Sequence, residues 1–277
     1  KLLGMFYITL FIMFTILNSC NNDDQLLGKD IRLFKGKPWK LAKAVEREDT
    51  VTIRRIISEG EIPIDFQEPK FGNTLLMWTV MNQKINSFKC LLQFGADPNL
   101  QDHYDGTSTL MYAADIWAKD TIYLKLCLQY GGDPNAVEQG VRRPGNMTRN
   151  TPLILAATHS LAKVKMLVNT GADINYTNEF NGNALFEACV AQESEIVRYL
   201  LIGKKADFSL VKSDRIDGSV ALITDWLRHW VFPLDSKEYK IKMEIVAYLK
   251  ERGLDYWKTE IPHEVQQQFP KEYVEKY

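Results

Sequence analysis

Apolar and polar positions recur along the chain with a period of 34 to 40 residues. Three segments end alike, in an apolar stretch followed by Gly, Asp and Asn. Their final Asn residues and the matching positions of two looser copies are spaced 34, 36, 40 and 34 residues apart, at Asp65, Asn99, Asn135, Asn175 and Ser209. A period of this size indicates stacked helical repeats, in which each repeat buries its apolar face against its neighbours.

A second shared element lies upstream of these endings and predicts the first helix of each repeat. It occurs at residues 74–80, 108–114, 151–157 and 183–189. Each copy begins with Thr, Ser or Asn, whose side chains cap helices by accepting backbone N–H bonds. Glycines in the left-handed conformation are expected to end the second helices, at Gly60, Gly95, Gly131 and Gly171. The chain is therefore predicted to be all-α, a solenoid of about six helix–turn–helix repeats joined by hairpin loops.

One copy of the first-helix element resembles the signature of a known family. Thr151 to Ala157 reads Thr-Pro-Leu-Ile-Leu-Ala-Ala and is similar to the T-P-L-H-x-A-A motif of ankyrin repeats, with Ile154 in place of the usual His. Other copies also replace that His, with Met or Phe. The resemblance covers roughly residues 38–256 and implies the ankyrin fold.

The N-terminus has the features of a sorting signal. Residues 2–17 form a 16-residue stretch without a charge after Lys1, whereas a membrane-spanning helix needs about 20 apolar residues. Small and polar residues follow the stretch, as in secretory signals. Leu17-Asn18-Ser19-Cys20 resembles a bacterial lipobox, in which the Cys becomes the lipidated first residue of the mature protein. The alternative interpretation is an uncleaved anchor helix.

These features predict four segments. Residues 1–19 form a lipoprotein signal peptide, and residues 20–37 contain the lipidated Cys20 and a flexible tether. Residues 38–256 form the ankyrin-repeat domain, and residues 257–277 form a C-terminal tail. The lipobox resemblance implies a lipoprotein of the bacterial cell envelope, anchored to the outer membrane and facing the periplasm or the cell surface.

Composition and motifs exclude several classes of protein. With 45% hydrophobic residues and 34 Lys+Arg against 35 Asp+Glu, the chain is too apolar for a disordered protein and lacks the basic excess of nucleic-acid binders. The Cys residues beyond Cys20 lie in apolar helical patterns and are expected to be inert core thiols. The His residues have no metal-binding spacing, and phosphate-loop and nucleophile motifs do not occur in the sequence. We expect no metal, no cofactor and no enzymatic activity.

Two places nevertheless offer an enzymatic interpretation. Residues 102–106 combine Asp and His, which is compatible with a general base, but their register predicts a hairpin tip. The last repeat is stretched between Ser219 and Tyr248 and contains Trp226 and His229. The Trp residues of this stretch are predicted to close the end of the solenoid core rather than to bind a ligand.

Hairpin tips and first helices of stacked repeats form a concave surface. Aligning the repeats predicts a protein-binding surface made of six hairpin-tip residues, Phe71, Asn73, Tyr104, Thr107, Asn150 and Phe180, and of six residues near the ends of first helices, Met81, Asn82, Asp115, Ile116, Trp117 and Thr158. Aromatic side chains are enriched in binding hot spots. The alternative is that the tip aromatics staple the hairpins to one another. The lengthened basic loop at 137–149 is open to both a binding and a purely solvated interpretation.

Three functions remain for this sequence, and two of them are non-enzymatic. Ankyrin lipoproteins that this chain resembles occur as immunity proteins, which bind and neutralise secreted antibacterial effectors such as toxins that act on the envelope. The second possibility is a scaffold or stabiliser of an endogenous periplasmic or outer-membrane enzyme, and the third is an enzyme with its site in the last repeat. We expect a monomer with a protein partner and a lipid anchor.

Overall fold

The computed structural model describes residues 26–116, 120–141, 149–215 and 217–276. Within them, six helix pairs stack into a solenoid, and the predicted all-α array of about six repeats is confirmed. The first helices are α1 (Trp39–Glu46), α3 (Leu75–Met81), α5 (Thr109–Asp115), α7 (Pro152–Ala156), α9 (Ala184–Val190) and α11 (Ile223–Arg228). The second helices are α2 (Thr50–Ser58), α4 (Ile85–Gln93), α6 (Ile122–Gln129), α8 (Leu161–Asn169), α10 (Ser194–Arg198) and α12 (Lys237–Lys250).

The first helices of neighbouring repeats pack on one another along the solenoid. Leu110, Leu153 and Leu185 occupy the same position in three successive first helices, and all three are buried. Burial of each such side chain contributes about 2 kcal/mol. Because each repeat covers the next, the apolar core is one continuous cluster that runs from the N-terminal segment to the last repeat.

The predicted capping residues start the first helices of the middle repeats. The side chains of Thr74, Ser108, Thr151 and Asn183 accept a backbone N–H bond from the third residue of the following helix, at 2.8 to 3.4 Å. Pro152 follows Thr151 at the first helical position, where its fixed φ fits and no N–H is needed. Local sequence therefore sets where these helices begin.

A ladder of Asp and Asn side chains joins the loops of successive repeats. The side chains of Asp65, Asn99, Asn135 and Asn175 each accept a hydrogen bond from the backbone N–H of the Asp residue in the next loop. The same loops turn at glycines with positive φ, for example Gly131 at 87°. The repeat period seen in the sequence therefore corresponds to hydrogen bonds between successive loops.

The fifth repeat absorbs an extra residue in its second helix. Helix α10 continues into a π-helical turn, Tyr199–Gly203, and such a turn takes up one inserted residue without ending the helix. Lys205 then adopts the left-handed conformation, with φ 60°, where other repeats use Gly. The loop after the insertion still joins the ladder, because the backbone N–H of Asp207 donates to Oδ1 of Asn175 at 2.9 Å.

The stretched sixth repeat begins with a small hairpin. A 3₁₀ turn, Phe208–Leu210, leads to strand β1 (Lys212–Asp214), which pairs antiparallel with β2 (Val220–Leu222). After α11, the Trp230 side chain is buried and its indole N–H donates to the carbonyl of Cys189 at 2.7 Å. This tryptophan is part of the solenoid core, which continues through α12 to Tyr256.

The segment predicted as a flexible tether is folded where the structure describes it, from residue 26 onward. It forms a 3₁₀ helix, Ile31–Phe34, and the side chains of Leu26 and Phe34 are buried in the core. The prediction of a tether over residues 26–37 was therefore wrong. The apolar residues of this segment cover the end of the first repeats, whose apolar face would otherwise meet water.

The described part of the predicted C-terminal tail, residues 257–276, also packs against the repeats. After a 3₁₀ turn, Tyr256–Lys258, it forms the short helices α13 (His263–Gln268) and α14 (Lys271–Val274). The Tyr273 hydroxyl donates to the carbonyl of Phe232 at 2.8 Å. The tail therefore caps the solenoid at its C-terminal end.

Two further predictions concern the N-terminus and the cysteines. The signal peptide and Cys20 lie outside the described residues. Among the helices that the structure describes, none is long and apolar enough to cross a membrane. Cys90, Cys127 and Cys189 are buried free thiols, as the helical pattern predicted, and burial raises the pKa of each thiol.

Candidate protein-binding surface

In four successive hairpins, one buried acceptor side chain bonds to backbone N–H groups of the same hairpin, within the residues that the structure describes. The acceptors are spaced 34, 36 and 40 residues apart, at Glu68, Asp102, Glu138 and Asn178. Their side-chain oxygens accept from backbone N–H groups of the same hairpin, for example from Phe180 at 3.0 Å and from Gly182 at 2.8 Å. These four acceptors were not predicted from the sequence, although their spacing equals that of the ladder residues three positions upstream. They fix the tips that carry the predicted aromatics.

Asp102 shows why the residues 102–106 do not form a general base. One carboxylate oxygen accepts from the backbone N–H groups of Tyr104, Asp105 and Gly106 at 2.7 to 3.0 Å. The other accepts from the Tyr112 hydroxyl at 3.0 Å. The carboxylate is buried and fully engaged in shaping the hairpin tip that the register predicted.

The predicted surface residues differ in exposure. Phe180 is 61% exposed and Tyr104 is 47% exposed, and Asp115 is also exposed at the end of α5. The side chains of six other predicted surface residues are half-buried: Phe71, Met81, Asn82, Ile116, Asn150 and Thr158. The side chains of these residues are at least partly accessible at the predicted positions.

Two predicted residues do not supply accessible side chains, and one is outside the described residues. Asn73 is 3% exposed and Thr107 is 9% exposed, because both precede a first helix at the point where the hairpin enters the core. Including them as contact residues was wrong. Trp117 lies outside the described residues.

The N-terminal segment covers the concave surface at the second repeat. The carbonyl of Lys29 accepts from the indole N–H of Trp78 at 2.9 Å and from the Asn82 amide at 3.3 Å. The carbonyl of Leu26 accepts from the Lys70 ammonium group at 3.0 Å. Asn82 is therefore engaged within the chain, and the accessible groove lies farther along, over the third to fifth repeats.

One pair of tip aromatics joins two neighbouring hairpins, as the alternative interpretation proposed. The rings of Phe71 and Tyr104 meet edge to face with centroids 5.8 Å apart, a favourable geometry for aromatic pairs. Gly72, at φ 78°, allows this approach, since a Cβ there would lie 2.4 Å from Cγ of His103. Phe71 thus has a structural role, whereas Phe180 projects into solvent.

A cavity of about 350 Å³ opens on the groove between the fourth and fifth repeats. Four predicted residues line it, Asp115, Asn150, Thr158 and Phe180. The structure adds five residues that the prediction missed, Ile154, Leu155, Asn178, Phe186 and Glu187, and Gly182 completes the lining. We call this feature the groove pocket.

Glu187 is the most informative of the missed residues. In the shared first-helix element it occupies the position that holds Trp78, Tyr112 and Leu155 in the other repeats. A carboxylate in this otherwise apolar column was the signal that could have identified it. Burial raises the pKa of Glu187, and among the described residues no hydrogen bond or ion pair reaches its carboxylate.

A buried lysine lies under the rim of the groove pocket. The Lys163 ammonium group donates to the carbonyls of Ile116 at 2.5 Å and of Ala114 at 3.3 Å. These carbonyls end α5, where a helix dipole favours a cation. Burial lowers the pKa of Lys163 to about 8, and the Asp115 and Asp120 carboxylates act in the opposite direction. Lys163 therefore partly neutralises Asp115, whereas its interactions do not extend to Glu187.

The two residues of the enzymatic alternative have structural contacts. Trp226 meets Phe186 edge to face at 5.3 Å between ring centroids. His229 Nδ1 lies 3.2 Å from a carboxylate oxygen of Glu264 on the C-terminal tail. In the part of the chain that the structure describes, no group of three or more His, Cys, Asp or Glu side chains could hold a metal ion.

Comparison with known proteins identifies the repeats. Residues 117–212 match the ankyrin repeat family in three copies, and residues 71–103 match a further ankyrin repeat. The crystal structure of EF0377, an ankyrin repeat protein, is similar with a TM-score of 0.53 and 26% identity, over 77% of this chain and 98% of that chain. The ankyrin repeat fold is thereby established for this chain.

A curated relative matches part of the chain. Protein PhlB of Serratia liquefaciens is 34% identical over 113 residues, which are 40% of this chain and 47% of PhlB. The matched segment thus spans about half the length of that relative. Ankyrin repeats typically act as non-enzymatic protein-interaction scaffolds, and the repeats therefore imply that this chain binds a protein.

Proposed function

We propose that this chain is a non-enzymatic ankyrin lipoprotein of the bacterial envelope that binds and neutralises a secreted antibacterial effector. The observation that carries protein binding is the open concave surface over the third to fifth repeats, with exposed Tyr104 and Phe180 and the groove pocket. Rigid hairpin tips present these side chains at low entropic cost to a partner.

The envelope location is supported by the sequence of the N-terminus. An apolar stretch followed by Leu17-Asn18-Ser19-Cys20 is similar to a lipobox. Two or more acyl chains on Cys20 would anchor the protein stably to a membrane. An anchored protein with a protein-binding groove is well placed to intercept a toxin that enters the envelope from outside.

Affinity capture tests the proposed function. The full chain, tagged at its C-terminus, is used to capture proteins from envelope and secreted fractions of competing cells, which are identified by mass spectrometry. We expect one tight partner that is toxic when expressed in the periplasm and that this chain neutralises. Capture of a resident envelope enzyme that loses stability without this chain would instead establish the scaffold alternative.

Metabolic labelling with a fatty acid tests the anchor separately. We expect label on the wild-type chain and none on the Cys20→Ser variant. A Cys90→Ser variant serves as the matched control, because Cys90 is buried in the folded repeats and its change should leave the label unaffected. Equal labelling of the wild type and the Cys20→Ser variant, or no label on either, would contradict the lipoprotein assignment.

A further inference from the structure

The groove pocket combines a carboxylate with aromatic walls. Glu187 on α9 lies beside Gly182, where an added Cβ would be 3.2 Å from its Oε1. Phe186 and Phe180 line the same pocket, and Phe180 projects from the hairpin tip. Aromatic faces and a carboxylate are together the groups that recognise a planar cation.

The Glu187 carboxylate is costly in the free protein. A partly buried charge without a hydrogen-bonding partner is unfavourable relative to the same group in water. Nearby polar groups are already engaged: the Asn178 amide donates to Asn150 Oδ1 at 2.9 Å, and Thr158 donates to the carbonyl of Leu155 at 3.1 Å. An incoming cation would therefore meet a carboxylate that has no competing internal partner among the described residues.

A second carboxylate at the rim of the groove pocket strengthens the attraction for a cation. Asp115 borders the same pocket from α5, so two carboxylates face the opening. Lys163 lies beneath Asp115 and compensates part of its charge, but its ammonium group is fixed to the carbonyls of Ala114 and Ile116. Asp115 is therefore partly compensated by a cation of the chain, whereas Glu187 is not.

We infer that the groove pocket receives an arginine side chain from a protruding segment of the protein partner. The guanidinium group would pair with the Glu187 carboxylate while its flat face lies against Phe180 and Phe186. Arginine fits better than lysine because its planar fork makes two parallel hydrogen bonds to a carboxylate and stacks on aromatic rings. This inference rests on the proposed protein-binding function and names the chemistry of the partner at one place.

Ligand-observed NMR with the full-length protein tests the inference. The probe is N-acetyl-arginine methylamide, and the matched neutral probe is N-acetyl-citrulline methylamide, which has the same shape without the charge. We expect binding of the arginine probe with a dissociation constant on the order of 1 mM, and about fivefold weaker binding of the citrulline probe. Equal binding of the two probes would overturn the inference.

Variants locate the binding at the groove pocket. Glu187→Gln should reduce the affinity for the arginine probe to that for the citrulline probe, and Phe180→Ala should weaken it as well. Glu61→Gln, at an exposed position outside the groove, should bind like the wild type. Unchanged binding by a folded Glu187→Gln variant, judged by its circular dichroism, would contradict the assignment.

The experiment separates this inference from the proposed function. If a captured protein partner binds the Glu187→Gln variant as tightly as the wild type, the arginine pocket is wrong, although the chain still binds a protein. If the arginine probe binds at Glu187 and no protein is ever captured, the pocket is supported and the proposed function fails.

Discussion

The side chain of Asn99 joins two successive repeats through both of its polar atoms. Its Oδ1 accepts from the backbone N–H of Asp133 at 2.7 Å, and its Nδ2 donates to the carbonyl of Gly131 at 2.9 Å. Asn135 makes the same pair of bonds to Asp173 and Gly171 in the next loop. The loops are thus bound in series, and the orientation of each hairpin depends on its neighbour.

Replacement of Asn99 should destabilise the array. We expect Asn99→Ala to lower the free energy of unfolding by about 1–2 kcal/mol, because two backbone groups lose their partner. Urea denaturation followed by circular dichroism measures the effect. Asn169→Ala, at an exposed position on α8, is the matched control and should change stability by less than about 0.5 kcal/mol. Equal losses in both variants would show that the ladder adds little.

Phe180 should contribute to partner binding without contributing to stability. Since its side chain is 61% exposed, Phe180→Ala should leave the unfolding midpoint unchanged. Loss of the Phe180 ring should weaken the binding of the captured partner by about tenfold or more, as for a central aromatic side chain in an interface. Biolayer interferometry measures the affinity, with Val51→Ala, on the exposed side of α2, as the control. Wild-type affinity of Phe180→Ala would exclude this hairpin tip from the interface.

Lys163 should give the protein a defined pH dependence of stability. Its pKa is lowered to about 8 in the folded protein, against an ordinary value of 10.5, so the unfolded chain binds more protons between these values. The free energy of unfolding should therefore rise with pH from about 8 to about 10.5, by about 3 kcal/mol for this group.

Comparison with Lys163→Met isolates this effect. Lys242 is also buried with a lowered pKa, and it contributes equally to the wild type and the variant. The difference between the two stability curves, measured by urea denaturation at several pH values, should therefore follow Lys163 alone. A difference that stays constant from pH 8 to pH 10 would contradict the depressed pKa.

Binding of a cationic probe should weaken as the pH falls. Burial raises the pKa of Glu187 above its ordinary value of 4.5, and only the carboxylate form pairs with a guanidinium group. We expect the affinity for N-acetyl-arginine methylamide to decrease as the pH is lowered through this raised pKa. The Glu187→Gln variant should show a much flatter profile. The same steep decrease in Glu187→Gln would assign the titration to another group.

The N-terminal segment should behave as part of the folded domain. Phe34 is fully buried, so Phe34→Ala should lower the free energy of unfolding by about 3–5 kcal/mol. Leu27→Ala, seven residues earlier and 75% exposed, should have almost no effect. Thermal unfolding of the two variants gives the comparison. A negligible effect of Phe34→Ala would restore the tether interpretation for these residues.

The repeat architecture could be predicted because it depends on local signals that recur. Capping side chains such as Thr74 and Asn183 and positive-φ glycines such as Gly131 each act within one repeat, and the period places them in register. The fold class and the number of repeats followed from these signals. The π-helical turn at Tyr199–Gly203 was visible only as an extra residue.

The features that could not be predicted from the sequence depend on contacts between segments that are far apart along the chain. The N-terminal segment resembled a linker because most of its residues are polar. Its few apolar residues, such as Leu26 and Phe34, are buried against the first repeats. Asn73 and Thr107 seemed exposed because hairpin tips usually are, whereas their burial depends on how the next repeat packs. Glu187 became important only when stacking placed it beside Phe180 and Asp115.

Hydrogen–deuterium exchange of the full chain, with and without its captured partner, locates the surface that binds the partner. We propose that this surface is the concave side of the third to fifth repeats. We predict slower exchange in the peptides that cover residues 102–116, 150–158 and 178–190 when the partner is bound. Slower exchange confined to the second helices α6, α8 and α10 would contradict it.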